Sequence, residues 1–286
     1  MKYLVEYLVK NNHHPLQKDL NGRTPLAVSF AARNVEAAKT LLSVCGKENT
    51  VSFHNDQDNS GNNILHLMLL PVGRRTAINS QEVKSLVGAL EGSTVCRMLQ
   101  EKNRSLHTPL AAWLDRLPDL RGAIFRGTSA SHDGGERGLM RLMISLAHKH
   151  EISLLDMLGG AGNSSVHGVV RKGQVGVLHE MMNKDGSLFY NEDMTGQTPL
   201  ELLWELWVIT ATSQIPEYQG SQKHDAILDI FRTCQELDSK QGDDNQTLRT
   251  RRRNLIDLDT ANNLAKQLIG LCGDERATPV ADRSAL

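Results

Sequence analysis

The chain has 286 residues, with 32 Lys and Arg against 33 Asp and Glu, a formal net charge of −1 and a sequence pI near 6.8. Binding to nucleic acid or to an anionic membrane surface rests on a strong excess of positive charge, so this balance argues against both. The 5 Phe, 4 Tyr and 3 Trp are few for a large single-core enzyme and suit many small Leu, Ala and Val interfaces, while 4 Cys with no CxxC spacing exclude a disulfide framework and point to a reducing compartment.

The first segment, Met1 to Lys10, reads as a helix through Tyr3, Leu4, Val5, Tyr7 and Leu8; Glu6 interrupts the apolar core that a secretion signal needs. Further along, one phrase recurs. It stands as Gly22-Arg-Thr24-Pro25-Leu26, Gly61-Asn-Asn63-Ile64-Leu65-His66, Leu106-His-Thr108-Pro109-Leu110, Gly162-Asn-Ser164-Ser165-Val166-His167 and Gly196-Gln-Thr198-Pro199-Leu200. Each slot has a mechanical reason. Gly suits a positive-φ turn; Thr, Asn or Ser caps a helix N-terminus; Pro is preset for the first helical position; the Leu or Val after it opens a buried face. Between the phrases lie apolar stripes of second helices, Val35, Ala38, Leu41 and Leu42 in the first unit and Val175, Leu178, Met181 and Met182 in the fourth. Cys45, Cys96 and Cys234 fall in or beside such stripes and read as core thiols.

These phrases resemble the ankyrin repeat, a β-turn and two antiparallel helices in about 33 residues around T-P-L-H-x-A. The resemblance is best over 1–48 and 164–207, and Ser164 lies 34 residues from Thr198. It implies an all-α, ankyrin-like solenoid with an additional C-terminal helix. The array occupies 1–237, as a half repeat over 1–21 and units starting near 22, 61, 106, 162 and 196; a polar and basic linker follows over 238–254, then an amphipathic helix and tail over 255–286. The half repeat expects a neighbour, so the array either continues upstream or is capped by an atypical element. Irregular spacings of 39, 45 and 56 residues place insertions at 46–59, 71–80 and 118–137. Arg33 stands where the family usually has Gly, which assigns the left-handed turn to Asn34. His66 and His167 stand in the family's His slot, which implies hydrogen bonds to neighbouring loops.

Chemistry-bearing patterns are few, and each has a structural reading. Asp56, Asp58 and Ser60 before Gly61 begin like a calcium loop, but position 12 is Leu67 where a bidentate Glu is needed, so a turn is expected. Gly159, Gly160 and Gly162 lack the Lys-Ser/Thr ending of a phosphate loop, and His148 and His150 have no third ligand at helical spacing. No metal, cofactor or catalytic group is assigned. Arg249, Arg251, Arg252 and Arg253 are a nuclear-import or acidic-partner candidate set against a solvated linker; Trp204 and Trp207 read as packing.

The resemblance implies a protein–protein interaction module, cytoplasmic or nuclear, acting as a scaffold or adaptor or as the recognition part of a larger signalling protein. It would bind protein partners through hairpin tips and the concave first-helix face, with no membrane and nucleic acid disfavoured. Expected contacts are Gln17, Lys18, Asp19, Asn21 and Arg23 in the first hairpin, Asp56, Gln57 and Asp58 in the second, Lys102, Asn103 and Arg104 in the third, and Glu192, Asp193, Met194 and Gln197 in the fifth. Two alternatives stand beside it: an enzyme whose site is built from the insertions with His132, His148, His150 or Cys96, and a truncated structural piece of a longer array.

Overall fold

The computed structural model of the chain describes residues 17–45, 56–70, 78–119, 133–160, 165–203 and 205. The described residues are helical and contain no strand. The first pair is α1 (Pro25–Ala31) and α2 (Val35–Cys45); the second is α3 (Ile64–Leu69) and α4 (Ser80–Val87), followed by α5 (Gly92–Gln100). The third is α6 (Pro109–Asp115) and α7 (Asp133–Lys149), followed by the short α8 (Leu154–Met157). The fourth is α9 (Ser165–Arg171) and α10 (Val175–Lys184), closed by a 3₁₀ turn at Gly186–Tyr190, and a further helical turn begins over 199–203. First helices pack in the order α1, α3, α6, α9, and second helices in the order α2, α4, α7, α10, so the chain builds a two-row solenoid with its core between the rows. This is the expected all-α, ankyrin-like arrangement. The additional C-terminal helix, the linker, residues 1–16 of the N-terminal half repeat, Trp204 and Trp207 lie outside the described residues.

The recurring phrase does what its residue types dictate. Thr24, Asn63 and Thr108 each sit in extended backbone, and each side chain accepts the N–H of the residue three positions on: Ala27, His66 and Ala111. The Leu or Val two positions after the cap is buried in every copy, as Leu26, Leu65, Leu110, Val166 and Leu200. The cap then bonds a second time, to the segment that closes its own unit and leads toward the next. Thr24 Oγ1 donates to Asp56 Oδ2, Asn63 Nδ2 donates to Met98 O at 2.9 Å and to Glu101 Oε2 at 3.0 Å, and Thr108 Oγ1 donates to Met157 O. Each cap therefore ties its helix to the far end of its own unit while starting it. Thr198 differs: its hydroxyl meets Glu201 Oε2 at 3.0 Å in its own helix, and its backbone N–H reaches the same carboxylate at 2.7 Å, a reciprocal cap.

Two turns between helices are tight. In the fourth unit Gly173 takes φ 66°, as glycine readily does. In the first unit the left-handed residue is Arg33, at φ 54°, and not Asn34. The reason is that Asn34 Oδ1 accepts the Ala37 N–H at 3.0 Å as the start of α2, a role that leaves the preceding residue to make the turn.

The first helices α3 and α6 are followed by insertions instead of tight turns, and their last carbonyls are met by cations from the neighbouring units. Arg33 Nη1 donates to Met68 O at 3.3 Å and reaches Leu70 O at 3.5 Å. Lys172 Nζ donates to Leu114 O at 3.1 Å and to Asp115 O. A cation at a helix C-terminus satisfies orphan carbonyls and complements the helix dipole. Burial pushes the Lys172 ammonium below the ordinary lysine range, opposed by Asp115 and Asp119.

The second unit corrects one expectation. Cys96 does not lie on the second helix; α4 takes that place between α2 and α7, and Cys96 is half-buried on α5, which packs against α3, α6 and α8. The stripe Val95, Met98 and Leu99 faces the core from this added helix, so the surplus of the second unit divides between the 71–80 region and α5. Between α7 and α10, Glu180 joins the second-helix row through Arg137 Nε at 2.6 Å and Arg141 Nε at 2.9 Å.

The doubly bonded cap makes a sharp prediction. Asp is as good an N-cap as Thr in an isolated helix, but a carboxylate has no proton for Met157 O. Thr108→Ser is expected to leave stability nearly unchanged, whereas Thr108→Asp costs about 1–3 kcal/mol for an acceptor set against a buried acceptor; urea unfolding of the two variants checks this.

Candidate interaction surface

Four hairpins are described between the units, and they share one hydrogen-bond plan. The first residue is Asp19, Asp58, Asn103 or Asp193; its N–H bonds the carbonyl four residues on, in Arg23, Asn62, His107 and Gln197, at 2.9–3.0 Å. Its own carbonyl accepts the N–H of the residue three on, in Gly22, Gly61, Leu106 and Gly196. The side-chain Oδ1 closes the loop from inside, accepting from Asn21 and Arg23, from Ser60 and Asn62, from Ser105 and His107, and from Thr195 and Gln197, at 2.8–3.3 Å. A short oxygen-bearing side chain at this slot replaces backbone partners that a four-residue turn lacks. Two of these carboxyls are held below their usual range, Asp19 chiefly by the backbone bond from Arg23 and Asp193 chiefly by the Thr195 hydroxyl.

The first three hairpins also bond to one another in register. The N–H of the second residue of one donates to the third residue's carbonyl of the one before, Asn59 to Asn21 at 2.9 Å and Arg104 to Ser60 at 3.0 Å. Asn59 Nδ2 adds a bond to Leu20 O and Asn103 Nδ2 one to Asn62 Oδ1, both 2.9 Å. The fourth residue of the earlier hairpin lies under this contact. A Cβ on Gly22 would meet Asn59 N at 2.9 Å, and one on Gly61 would meet Arg104 N at 2.9 Å, in addition to the strain of φ 75° at both.

The histidine slot completes the stitching. His66 Nε2 donates to His107 O and His167 Nε2 to Gln197 O, both at 2.8 Å, the last residue of the following hairpin in each case. His66 Nδ1 accepts the Asn63 N–H at 3.3 Å, and burial holds this imidazole below the ordinary histidine range.

The nominated contact residues fall into two groups. Asp19, Asp58, Asn103 and Asp193 are committed to closing their hairpins. Asp56 is buried against Thr24 and Lys18, and Gln57 Nε2 bonds Glu101 Oε1 at 2.9 Å. Lys18 Nζ donates to Gln57 O at 2.7 Å, Arg23 pairs with Asp19 at 3.0 Å, and Gln197 Nε2 bonds Glu205 Oε1 at 3.0 Å. Gln17, Asn21, Lys102, Arg104, Glu192 and Met194 are exposed. Two neighbours belong with them: Leu20 is 99% exposed and Leu106 is 73% exposed at φ 62°. An apolar residue in an otherwise polar hairpin is the signal by which the sequence marks both.

The concave first-helix face is closed at the middle of the array. All six residues of α3 are buried, as are Pro109 to Leu114 of α6, so the expectation of an open first-helix surface fails there. Exposed positions on α1 and α9 remain, Val28 and Arg171 among them.

Other candidate chemistry resolves structurally. The calcium-like Asp58 is a hairpin closer, with Oδ2 taken by Asn62 Nδ2 at 3.0 Å, and among the described residues no group of three His, Cys, Asp or Glu side chains gathers to hold a metal. Cavities of about 30 and 10 Å³ open beside Trp113, Glu136 and Leu139 and beside His167, Leu188 and Pro199; neither is lined by Cys96, His148 or His150. His132, Gly162 and Arg249 to Arg253 lie outside the described residues. Among the described residues no helix is long and apolar enough to cross a membrane.

No protein-family model matches the sequence, and no curated protein matches it significantly. Among solved structures, the chain is similar to the ankyrin repeat domain of Bcl-3, described as a unique member of the IkappaB protein family, at 14% identity and a TM-score of 0.36 over 70% of this chain and 86% of that one. That likeness is distant; the ankyrin-like geometry stands on this chain's own helix order and hairpin bonds.

Two outcomes follow from the hairpin geometry. Gly61→Ala and Gly196→Ala both meet a left-handed backbone that costs about 1–2 kcal/mol, but only Gly61→Ala also collides with the next hairpin, so it should lower the unfolding free energy by the larger amount in urea titrations. With pH, a depressed His66 contributes stability that is complete above the ordinary histidine pKa of about 6.5 and is lost on acidification; depressed Asp19 and Asp193 contribute stability that is lost only below about pH 4. Denaturation midpoints between pH 7.5 and 3 should fall in these two stages, and His66→Gln should flatten the first.

Proposed function

We propose that this chain is a protein-interaction module whose contacts are made by its row of hairpins. The observation that carries the reading is the pairing of rigid hairpin frames with side chains that the frames do not use: Leu20, Leu106 and Met194 project into solvent, beside the exposed Asn21, Lys102 and Arg104. A pre-organised loop loses little conformational freedom on binding, and an exposed apolar side chain in a polar rim is the usual form of an interface anchor. The middle of the concave face takes little part, since all of α3 and residues 109–114 of α6 are buried.

On this reading the binding array runs over 1–237, with units from near 22, 61, 106, 162 and 196, and serves as a scaffold or adaptor or as the recognition part of a larger signalling protein. Arg249, Arg251, Arg252 and Arg253 are then a linker contact or an import signal. A catalytic role for Cys96 or His148 gains no support from the cavities described above.

The test compares quantitative capture from cell extract by three forms: the native chain, a hairpin variant with Asn21→Ala, Leu106→Ala and Met194→Ala, and an outer-row variant with Lys39→Ala and Lys84→Ala on the exposed side of the second-helix row. Proteins retained by the native and outer-row forms and lost from the hairpin form are the expected result. A set of partners unaffected by the hairpin changes, with folding unchanged by circular dichroism, sinks the reading.

A further inference from the structure

The third hairpin carries a residue that its own folding does not call for, and we infer that its tip docks an acidic protein segment, which sets a carboxylate on the Arg104 guanidinium and an apolar side chain against Leu106. The inference rests on the reading of the hairpins as contact elements and names the chemistry of the partner. At the fourth position the first, second and fifth hairpins have Gly22, Gly61 and Gly196 at φ 75–77°, whereas the third has Leu106 at φ 62°. A β-carbon is disfavoured in left-handed backbone, and glycine there would carry no such strain. The fold gives the side chain little in return, since it is 73% exposed. A leucine unfavourable both to its backbone and to water is of use in contact with another molecule.

Charge selects the partner. In the first hairpin each cation is answered within the chain: Lys18 Nζ lies 3.5 Å from Asp56 Oδ1, and Arg23 Nη2 lies 3.0 Å from Asp19 Oδ2. In the second, Asp58 is turned onto its own loop. In the third, Lys102 and Arg104 are exposed, and no carboxylate of the described residues pairs with either. Glu101, the one acid over 101–107, is turned inward, with Gln57 Nε2 at 2.9 Å and Asn63 Nδ2 at 3.0 Å. The tip therefore presents positive charge around an apolar side chain, and its complement is an apolar side chain among carboxylates.

The tip is also held in place before anything binds. Asn103 Oδ1 accepts the Ser105 and His107 N–H groups, both at 3.0 Å, and its carbonyl accepts the Leu106 N–H at 2.9 Å. Arg104 N–H donates to Ser60 O at 3.0 Å, and its stem lies over Gly61, where a Cβ would stand 3.1 Å from Arg104 Cγ. A guanidinium on a stem fixed at its root loses less freedom on binding, and its planar fork matches a carboxylate. Nucleic acid suits this tip less well: Lys102 and Arg104 are few cations for a phosphate backbone, and 101–107 hold no Phe, Tyr or Trp on which a base could stack.

Fluorescence anisotropy with a labelled peptide of Asp and Glu around a central Leu tests this on the full chain. Its companions are a peptide with Gly at the centre, one with Asn and Gln for the acids, and a single-stranded RNA of equal charge. The acidic Leu peptide is expected to bind most tightly, and less so as salt rises. Lys102→Gln with Arg104→Gln should weaken it about tenfold, the loss of a charge-assisted pair. Leu106→Asn, which suits left-handed backbone, should weaken it about fivefold with the thermal midpoint kept. Lys39→Ala with Lys84→Ala should leave it unchanged. No binding of the acidic peptide, equal binding of the neutral one, tighter binding of RNA, or binding that survives either hairpin change in a folded chain each overturns the inference. Absence of acidic-peptide binding with hairpin-dependent partner capture intact separates this failure from that of the proposed function.

Discussion

The structure depends on one constraint: a helix pair of this size cannot bury its own apolar face, so whatever starts each first helix must also hold the segment that leads to the next unit. Thr24, Asn63 and Thr108 meet that demand with a single side chain that accepts from its own helix and donates to that segment. The chemistry of the slot follows. Thr, Ser and Asn carry both a donor and an acceptor; a carboxylate caps well but has nothing to donate. The His slot repeats the logic one turn later, with Nε2 on the following hairpin. Capping, packing and unit spacing are therefore one set of bonds.

The hairpins divide their residues between frame and surface by position. The first residue closes the loop through Oδ1, the second leans on the preceding hairpin, and the fourth leaves room for the hairpin that follows. Exposed apolar side chains stand at the second residue in Leu20 and Met194 and at the fourth in Leu106. The insertions change the helices more than the hairpins. Once α3 and α6 lose their tight turns, Arg33 and Lys172 of adjacent units supply the missing C-terminal partners, so the regular first and fourth units stabilise the irregular second and third.

Much of this was legible in the residues. The five phrases with a cap, a first-turn residue and a buried Leu or Val placed every first helix, and the stripes of Val35 to Leu42 and Val175 to Met182 placed two second helices, because capping and 3.6-residue periodicity are local effects. The role of His66 was legible through the family resemblance alone. Less visible was the hairpin frame. Asp19, Asp58, Asn103 and Asp193 read as surface polar residues in a list of tip positions, yet each folds back on its own backbone, and a side chain that returns to its own loop looks in sequence like one that faces a partner.

By itself the sequence determined the helical class, the places where first helices begin, and the polar character of the connecting hairpins, since each rests on bonds or periodicities within about seven residues. Only the tertiary structure decided which helix fills the second-row place in the second unit, with α4 there and α5 set apart. It also decided that Arg33 and not Asn34 makes the first turn, that α3 and residues 109–114 of α6 are buried, and that Gly22 and Gly61 lie beneath a neighbouring hairpin. Those outcomes turn on contacts between residues some forty positions apart, where the lengths of the intervening insertions, and not the local residue pattern, set what meets what.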